Sequence, residues 1–510
     1  MKKAFKPIFS KKILGAVILI AQILFFVITI DRLYSYRVYI YGFSAVISAV
    51  LIVWEINRSV DPGFKIVWIA LIAVAPFFGI FLYFYVHLDV LQRGLRKQLF
   101  KNVEAARKIS DEMTEGLDEV SQKEPDEAGI FEYLYKYAAA PCFSGSDVEY
   151  FKIGEEMYRR LCRDMESAEK YIFLEFFILN QNSGMWKNIH EILKRKVSEG
   201  VEVRVMYDGM GSLTCASNDF DKLLTSEGIK CRIFSPVKPF LSTYHNNRDH
   251  RKIVVIDGKI AYTGGINIAD EYINEIKRFG HWKDTAVRVT GDGVKGFAVM
   301  YIKIWNLPRE SKIDCEKYIS GTARSENASG FIAPFDDNPL DNETVVENVY
   351  LHMINTAKKY VHITTPYLIL DDDLSDSLKF AAKRGVDVKI IMPHIPDKWY
   401  AFVLARTYYP ELIGAGVKIY EYTPGFIHAK STVTDGIRAF VGSANYDFRS
   451  LYLHYECGVY MYANNAIDDI EADFEDTMEK CSLFMAEDYK KLNVFYRLTG
   501  RIIRIFAPLM

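Results

Sequence analysis

A chain of 510 residues exceeds what one ordinary core organises, which suggests a membrane part followed by two further halves. Half of the residues are apolar, Lys plus Arg (63) nearly balance Asp plus Glu (65), and the net charge of -2 argues against a polyanion-binding protein. The seven cysteines, Cys142, Cys162, Cys215, Cys231, Cys315, Cys457 and Cys481, are scattered and show no C-x-x-C spacing, so they read as reduced packing residues rather than a zinc or redox site.

Three apolar runs crowd the N-terminus: 13–30, 39–54 and 66–86. Each is long enough, or nearly so, for a bilayer crossing at about 20 residues per span. Residues 1–90 are therefore expected to form a membrane anchor with two or three transmembrane helices, as in a multi-pass membrane protein. A cleaved signal peptide fits less well, because the first run outlasts the usual apolar stretch and two more follow it. Lys2, Lys3, Lys6, Lys11 and Lys12 before the first run and Arg93, Arg96, Lys97, Lys101, Arg107 and Lys108 after the third both carry a cytoplasmic charge bias, so orientation and crossing number stay open. Residues 91–126 read as a basic juxtamembrane helical linker.

From about Glu127 the chain states one plan twice, at a separation of roughly 180 to 190 residues. Tyr171-Ile172 opens an apolar strand in the first copy and Tyr360-Val361 in the second. Gly200-Val201-Glu202-Val203-Arg204-Val205 matches Gly385-Val386-Asp387-Val388-Lys389-Ile390, and Gly228-Ile229-Lys230 matches Gly416-Val417-Lys418. Glycine before an alternating β-branched run marks a helix stop and then a strand, so each half is expected to be α/β, the first over 127–320 and the second over 341–510. Gly, Ser, Asn, Asp and Pro between Ser320 and Asp341 suggest a linker, and two like halves suggest a pseudo-twofold pair.

The repeat culminates in His250-Arg251-Lys252 with Asp257, and again in His428-Ala429-Lys430 with Asp435. Both are H-x-K-x-x-x-x-D. Residues two apart on an extended strand share a face, so each His and Lys should project together from a strand end. Seven residues after each Asp stands a glycine and three further an asparagine: Gly264 and Asn267, then Gly442 and Asn445. One such motif is weak, because the same residues occur on solvated strand ends; two at equivalent places in a repeat are not an accident. Asp284 and Glu456, each opening an apolar strand, are candidates to orient the imidazoles, since a carboxylate accepting one ring N–H fixes the tautomer and raises the basicity of the other nitrogen.

These residues resemble the paired HKD motifs of the phospholipase D superfamily, from about Glu127 to the C-terminus. The N-terminal apolar region with its P-x-x-G run, Pro76 to Gly79, looks like that of the bacterial cardiolipin synthases. The resemblance implies two pseudo-twofold-related phospholipase D-like halves and a phosphatidyltransferase without cofactor or metal. Phosphatidylglycerol would be its substrate, an anionic membrane lipid its partner, and phosphohistidine its intermediate. It implies His250 as nucleophile and His428 as acid/base, with Lys252, Lys430, Asn267 and Asn445 around the phosphate. Asp257 and Asp435 would hold the site together through hydrogen bonds to the opposite half. Other phospholipase D-type headgroup exchange or hydrolysis, a membrane-tethered nuclease, and a scaffold with relic motifs remain as alternatives. No nucleic acid is expected, and oligomeric state and acceptor alcohol are left open.

Of the remaining histidines, His245, His281, His352, His362, His394 and His454 stand outside the motifs and read as ordinary structural or surface residues, although His281 and Trp282 precede Asp284 and suit a pocket wall. Phe173 to Ile178 and Tyr367 to Leu370 read first as core strands. The tail from Tyr496 suits either a basic amphipathic helix at an anionic membrane surface or a helix packed on the second half.

Overall fold

A computed structural model of the chain describes Leu24 and residues 37–87, 90–236, 247–307, 312–319 and 324–509. They fall into two compact units, one built on the chain up to Gly94, the other on Leu95–Phe234 and Asn247–Pro508.

The first unit holds α1 (Arg37–Ile56), α2 (Pro62–Val74) and α3 (Pro76–His87). The run 13–30 lies outside the described residues. Among the described residues no helix is long and apolar enough to cross a membrane, so the expected transmembrane helices are not what the other two runs form. The reason is local. Pro76, lacking an N–H and clashing with the preceding turn, breaks the third run into helices of 13 and 12 residues. At 1.5 Å per residue these reach only about 20 Å, against a hydrocarbon core of about 30 Å. They fold back on each other at Gly79, where an added Cβ would stand 2.8 Å from the Ile72 Cα. In α1 the buried Glu55 carboxylate accepts from Arg58 at 2.9 Å and from the Tyr83 hydroxyl at 2.8 Å. Leu51, Ile72 and Tyr83 form the small apolar cluster of this unit.

The second unit opens with the remainder of α4 (Val90–Ser110). This segment is more than a linker: Leu99 and Ala106 enter a buried core, and Asn102 donates to the Lys303 carbonyl at 2.8 Å. Two sheets follow. The first half supplies β1 (Ser146–Phe151), β2 (Tyr171–Phe176), β3 (Glu202–Asp208), β4 (Lys230–Phe234), β5 (Arg248–Asp249), β6 (Ile253–Ile256), β7 (Ile260–Gly264), β8 (His281–Lys283) and β9 (Ala286–Gly291). The second supplies β10 (Phe331–Asp337), β11 (Tyr360–Thr364), β12 (Leu368–Ile369), β13 (Asp387–Pro393), β14 (Lys418–Tyr422), β15 (Gly425–Ile427), β16 (Ser431–Thr434), β17 (Arg438–Gly442), β18 (Tyr446–Asp447), β19 (His454–Tyr462) and β20 (Cys481–Phe484).

The strand order is β1-β9-β7-β6-β2-β3-β4 in one sheet and β10-β19-β17-β16-β11-β13-β14 in the other, which β20 extends at one edge. Strand for strand this is the same plan, parallel along β2-β3-β4 and β11-β13-β14 and antiparallel elsewhere. The stretch read as a linker therefore contains β10: Phe331, Ile332, Ala333 and Phe335 are buried, and their pairing with β19 outweighs the turn-forming residues on either side. Residues 320–323 lie outside the described residues.

Period-two burial explains the layering. Ile253 and Val255 of β6 enter a core shared with Val433, Ala439, Val441, Val459 and Met461 of the other sheet and with Phe297 and Tyr301 of α5 (Val294–Trp305). Val254 and Ile256 point the other way, into a core that includes Leu193 and Trp186. Phe173, Leu174 and Phe176, and Leu368 and Ile369, are buried strand residues, as their composition suggests, and Leu370 beyond them is buried too. Arg251, which has Ala429 as its counterpart, is wholly buried and meets Asp249 and Asp336 at 3.1 Å as well as Glu175, tying β2 and β6 to β10.

Candidate active site

Two short strands leave one half and pair with the other. Parallel β5 lies against β19, matching Arg248 with His454 and Asp249 with Tyr455. Parallel β15 lies against β8, matching Gly425 with His281 and Ile427 with Lys283. Each strand delivers its histidine one residue later: His250 N–H donates to the Tyr455 carbonyl at 2.9 Å, and His428 N–H to the Lys283 carbonyl at 2.7 Å. The next residue on each host strand is a carboxylate.

The pairing is therefore crossed. His250 Nδ1 lies 2.9 Å from Glu456 Oε1, and His428 Nδ1 lies 2.6 Å from Asp284 Oδ2, both buried. With Nδ1–H donated to a carboxylate, Nε2 of each ring carries the lone pair. Lys252 and Lys430 each turn one N–H to the carbonyl of their own motif histidine, leaving the other ammonium protons for a ligand. Phe177 stands edge-on to His250 at 4.9 Å, and Tyr272 and Trp282 are each 5.5 Å from His428.

Burial sets the electrostatics. Desolvation lowers both histidines well below 6.5, Lys252 to about 8 and Lys430 to about 7. The two carboxylates diverge. Burial raises Asp284 to about 7, its neighbouring lysines only partly opposing this. Burial pushes Glu456 up as well, yet the charges and hydrogen bonds of His250 and His454 outweigh it and hold this carboxylate well below its usual range. Ser443 adds a hydrogen bond to Glu456. Its counterpart is Gly265, where a Cβ would stand 2.0 Å from Asp284 Oδ1, so no such donor fits in the first half.

Other expected site residues serve elsewhere. Asp257 accepts from the backbone N–H groups of Glu169, Lys170 and Tyr171, each at 2.8 Å, and Asp435 accepts from Lys358 and Lys359 at 2.7 Å and Tyr360 at 3.0 Å. These are contacts within the same half, correcting the expectation of bonds to the opposite one. The cause is the turn: Asp257 and Gly258 have φ of 55° and 67°, and Asp435 and Gly436 have 57° and 68°. This tight hairpin folds each carboxylate back onto the start of the central strand. Asp257→Ala leaves three amide donors unpaired and is expected to cost on the order of 3 kcal/mol, read as a lowered thermal midpoint, with turnover per folded molecule little changed.

Asn267 accepts from Ile178 N–H at 2.9 Å and donates to the Tyr272 hydroxyl at 2.8 Å, while Asn445 donates to Asp447 at 3.1 Å and Ser450 at 3.2 Å. Both amides brace the walls of the site. His454, read as ordinary, is brought into it: its ring is 5.4 Å from that of His250 and its Nδ1 3.7 Å from Glu456. The one sequence signal for it is its place two residues before Glu456, as Trp282 stands before Asp284. His281, His352, His362 and His394 pair with Tyr422, Glu127, Glu471 and Glu421; His245 lies outside the described residues. Among the described residues, donor atoms of His250, His454 and Glu456, and of His362, Glu471 and Glu475, lie within 4.8 Å of one another. In both sets imidazole and carboxylate already bond to each other, and Lys389 stands 3.3 Å from Glu475 in the second.

Residues 161–277 and 350–478 match the family described as cardiolipin synthase, phospholipase D-like domain. The chain is 32% identical over 477 residues to the cardiolipin synthase of Alkalihalophilus pseudofirmus, covering 92% of this chain and 93% of that one. It is 31% identical over 467 residues to that of Geobacillus kaustophilus, covering 91% and 92%. The chain belongs to the cardiolipin synthase family of the phospholipase D superfamily. An uncharacterized Streptococcus mutans protein is 43% identical over 459 residues, 90% of this chain and 99% of its own. The phosphatidylserine synthase of Haemophilus influenzae, 14% identical, shares the fold at a TM-score of 0.54 over 71% of this chain and 93% of that one. Each matched segment carries one of the two histidines of the crossed pairs: His250 lies within 161–277 and His428 within 350–478.

Proposed function

We infer that the chain is a cardiolipin synthase, a phosphatidyltransferase that joins two phosphatidylglycerols into cardiolipin and releases glycerol. The observation that carries the reading is family membership over about nine-tenths of the chain, joined to two buried imidazoles, each held by a carboxylate of the opposite half.

His250 Nε2 attacks the phosphorus of the first phosphatidylglycerol. The P–O bond to glycerol breaks, and the departing oxygen takes the proton that His428, neutral in the free protein, picks up from solvent at Nε2 once the anionic phosphodiester lies beside it. The terminal hydroxyl of the second phosphatidylglycerol then gives its proton to His428 and attacks the phosphohistidine, whose P–N bond breaks. Glu456, firmly anionic, makes His250 the stronger nucleophile, whereas Asp284 near neutrality suits a histidine that both gives and takes a proton. Lys252 and Lys430 face the charge that develops on the equatorial oxygens. Burial of both rings restricts water, favouring a lipid alcohol as acceptor. The near-neutral charge of the chain fits this substrate better than a nucleic acid.

Incubation of the full-length protein with phosphatidylglycerol labelled in its headgroup should give cardiolipin and free glycerol in equal amounts. Phosphatidic acid instead would mean hydrolysis, and turnover confined to another lipid would mean a different headgroup exchange. In the same assay, kcat/KM should hold down to pH values well below 6.5, because the nucleophile His250 stays neutral there. It should fall as pH rises through about 7 and about 8, where Lys430 and Lys252 lose their charge. An alkaline limb placed near the ordinary lysine range would refute this assignment.

A further inference from the structure

The C-terminal helix is mounted with its apolar face outward. Helix α7 (Val494–Arg504) follows α6 (Trp399–Ala405) in chain order and packs on it. Gly500 makes the close approach, since a Cβ there would stand 2.7 Å from Thr407 Cγ2 and 3.2 Å from the Val403 carbonyl. Arg504 stacks over the Tyr408 ring at 4.0 Å and meets Glu411 at 2.8 Å. On the other side, Phe495 is 78% exposed, Leu498 53%, Ile502 52%, Ile505 51% and Phe506 50%. Phe495, Leu498 and Ile502, spaced three and four apart, form one stripe along the helix, and Ile505 and Phe506 continue it in the turn just past its end. A helix kept only for packing would turn that stripe inward.

Arg497 and Arg501, one turn apart, run along one edge of the stripe, and Arg501 is exposed. Trp399 and Tyr400, at the first turn of α6, are also exposed. Lys398, just before them, lies over the Tyr367 ring at 5.0 Å, and its charge acts on His428 and Asp447. The support of the outward stripe thus reaches the rim of the active site.

We propose that α7, with the first turn of α6, docks the catalytic unit on an anionic bilayer surface, its apolar stripe lying at the boundary of headgroups and acyl chains. The choice of lipid over a second protein surface rests on the cardiolipin synthase reading. Both substrates of that reaction reside in a bilayer and carry negative charge, which matches an apolar stripe edged by arginine. Such a helix lies in the membrane plane and crosses nothing.

The test uses full-length protein with an environment-sensitive fluorescent amino acid in place of Phe495, and a control with it in place of exposed Lys491. These are mixed with phosphatidylcholine vesicles, with or without phosphatidylglycerol, brominated in the acyl chains. Docking predicts quenching at position 495 and not at 491, strengthened by phosphatidylglycerol and weakened by Arg501→Gln. Leu498→Glu combined with Ile502→Glu should raise the apparent KM for vesicular phosphatidylglycerol by about tenfold or more, as expected when two apolar side chains no longer enter the interface. The same variant should keep kcat on short-chain phosphatidylglycerol dispersed in solution. Absence of quenching on vesicles that have bound the protein overturns the proposal, as does shielding of the probe by rising protein concentration without lipid, which would mark a second copy as the cover. Quenching without cardiolipin formation would sink the functional reading and leave docking standing; cardiolipin formation without quenching would do the reverse.

Discussion

His250→Ala is expected to abolish phosphatidyl transfer, with a loss on the order of 10⁵-fold or more, because it removes the atom that bonds to phosphorus. His428→Ala should lose less, about 10²- to 10⁴-fold, since it removes a proton donor and acceptor while Nε2 of His250 remains. The two variants separate cleanly on a phosphatidyl ester of p-nitrophenol, whose phenolate departs without needing a proton. On that substrate His428→Ala should release a burst of p-nitrophenolate and accumulate lipid-labelled protein, while His250→Ala should release nothing. A burst from His250→Ala and none from His428→Ala would exchange the two roles. The basis is geometric: both rings have Nδ1 committed to a carboxylate, at 2.9 Å and 2.6 Å, so Nε2 is the reacting nitrogen in each.

Glu456→Gln and Asp284→Asn should behave differently although the residues occupy equivalent places. Removing the carboxylate behind a catalytic imidazole costs up to about 10⁴-fold when tautomer and charge are both lost. Glu456 is held ionised far below its usual range, so Glu456→Gln should show a defect of about 10³- to 10⁴-fold that is flat across neutral pH. Asp284 is raised to about 7. Below that pH the wild-type carboxyl is itself protonated and lacks its charge, so Asp284→Asn should cost little there and progressively more as pH rises above 7. Single-turnover rates at several pH values decide the matter; parallel profiles for the two variants would show that the carboxylates are electrostatically alike. Ser443→Ala, which removes a donor to Glu456, should weaken the contrast.

Much of this arrangement is legible in the residues. The matched strands, such as Val201 to Val205 against Val386 to Ile390, announce two sheets of one plan because β-branched alternation after glycine leaves few other structures. The two-residue spacing of His and Lys places them together for the same reason. The partner of each imidazole is not legible, because β5 and β15 are only two and three residues long and pair across halves, with no periodicity to read. Asp257 misleads: its position in the motif suggests chemistry, while its positive φ, unseen in sequence, directs it to its own strand. His454 carries no repeat partner of its own type, since Trp282 stands at the equivalent place, so only its distance from Glu456 points to it. The N-terminal runs show composition outrunning geometry, since one proline converts a span-length stretch into two short helices.

The exchange of strands between halves also sets when the protein becomes reactive. His250 is synthesised more than 200 residues before Glu456, the carboxylate that orients it. Until β19 has formed and β5 has docked on it, the imidazole has neither a fixed tautomer nor a fixed direction. A chain truncated ahead of β19 would thus carry a complete first motif and still be inert toward lipid. On the proposed mechanism, reactivity arrives late, as a property of the finished pair.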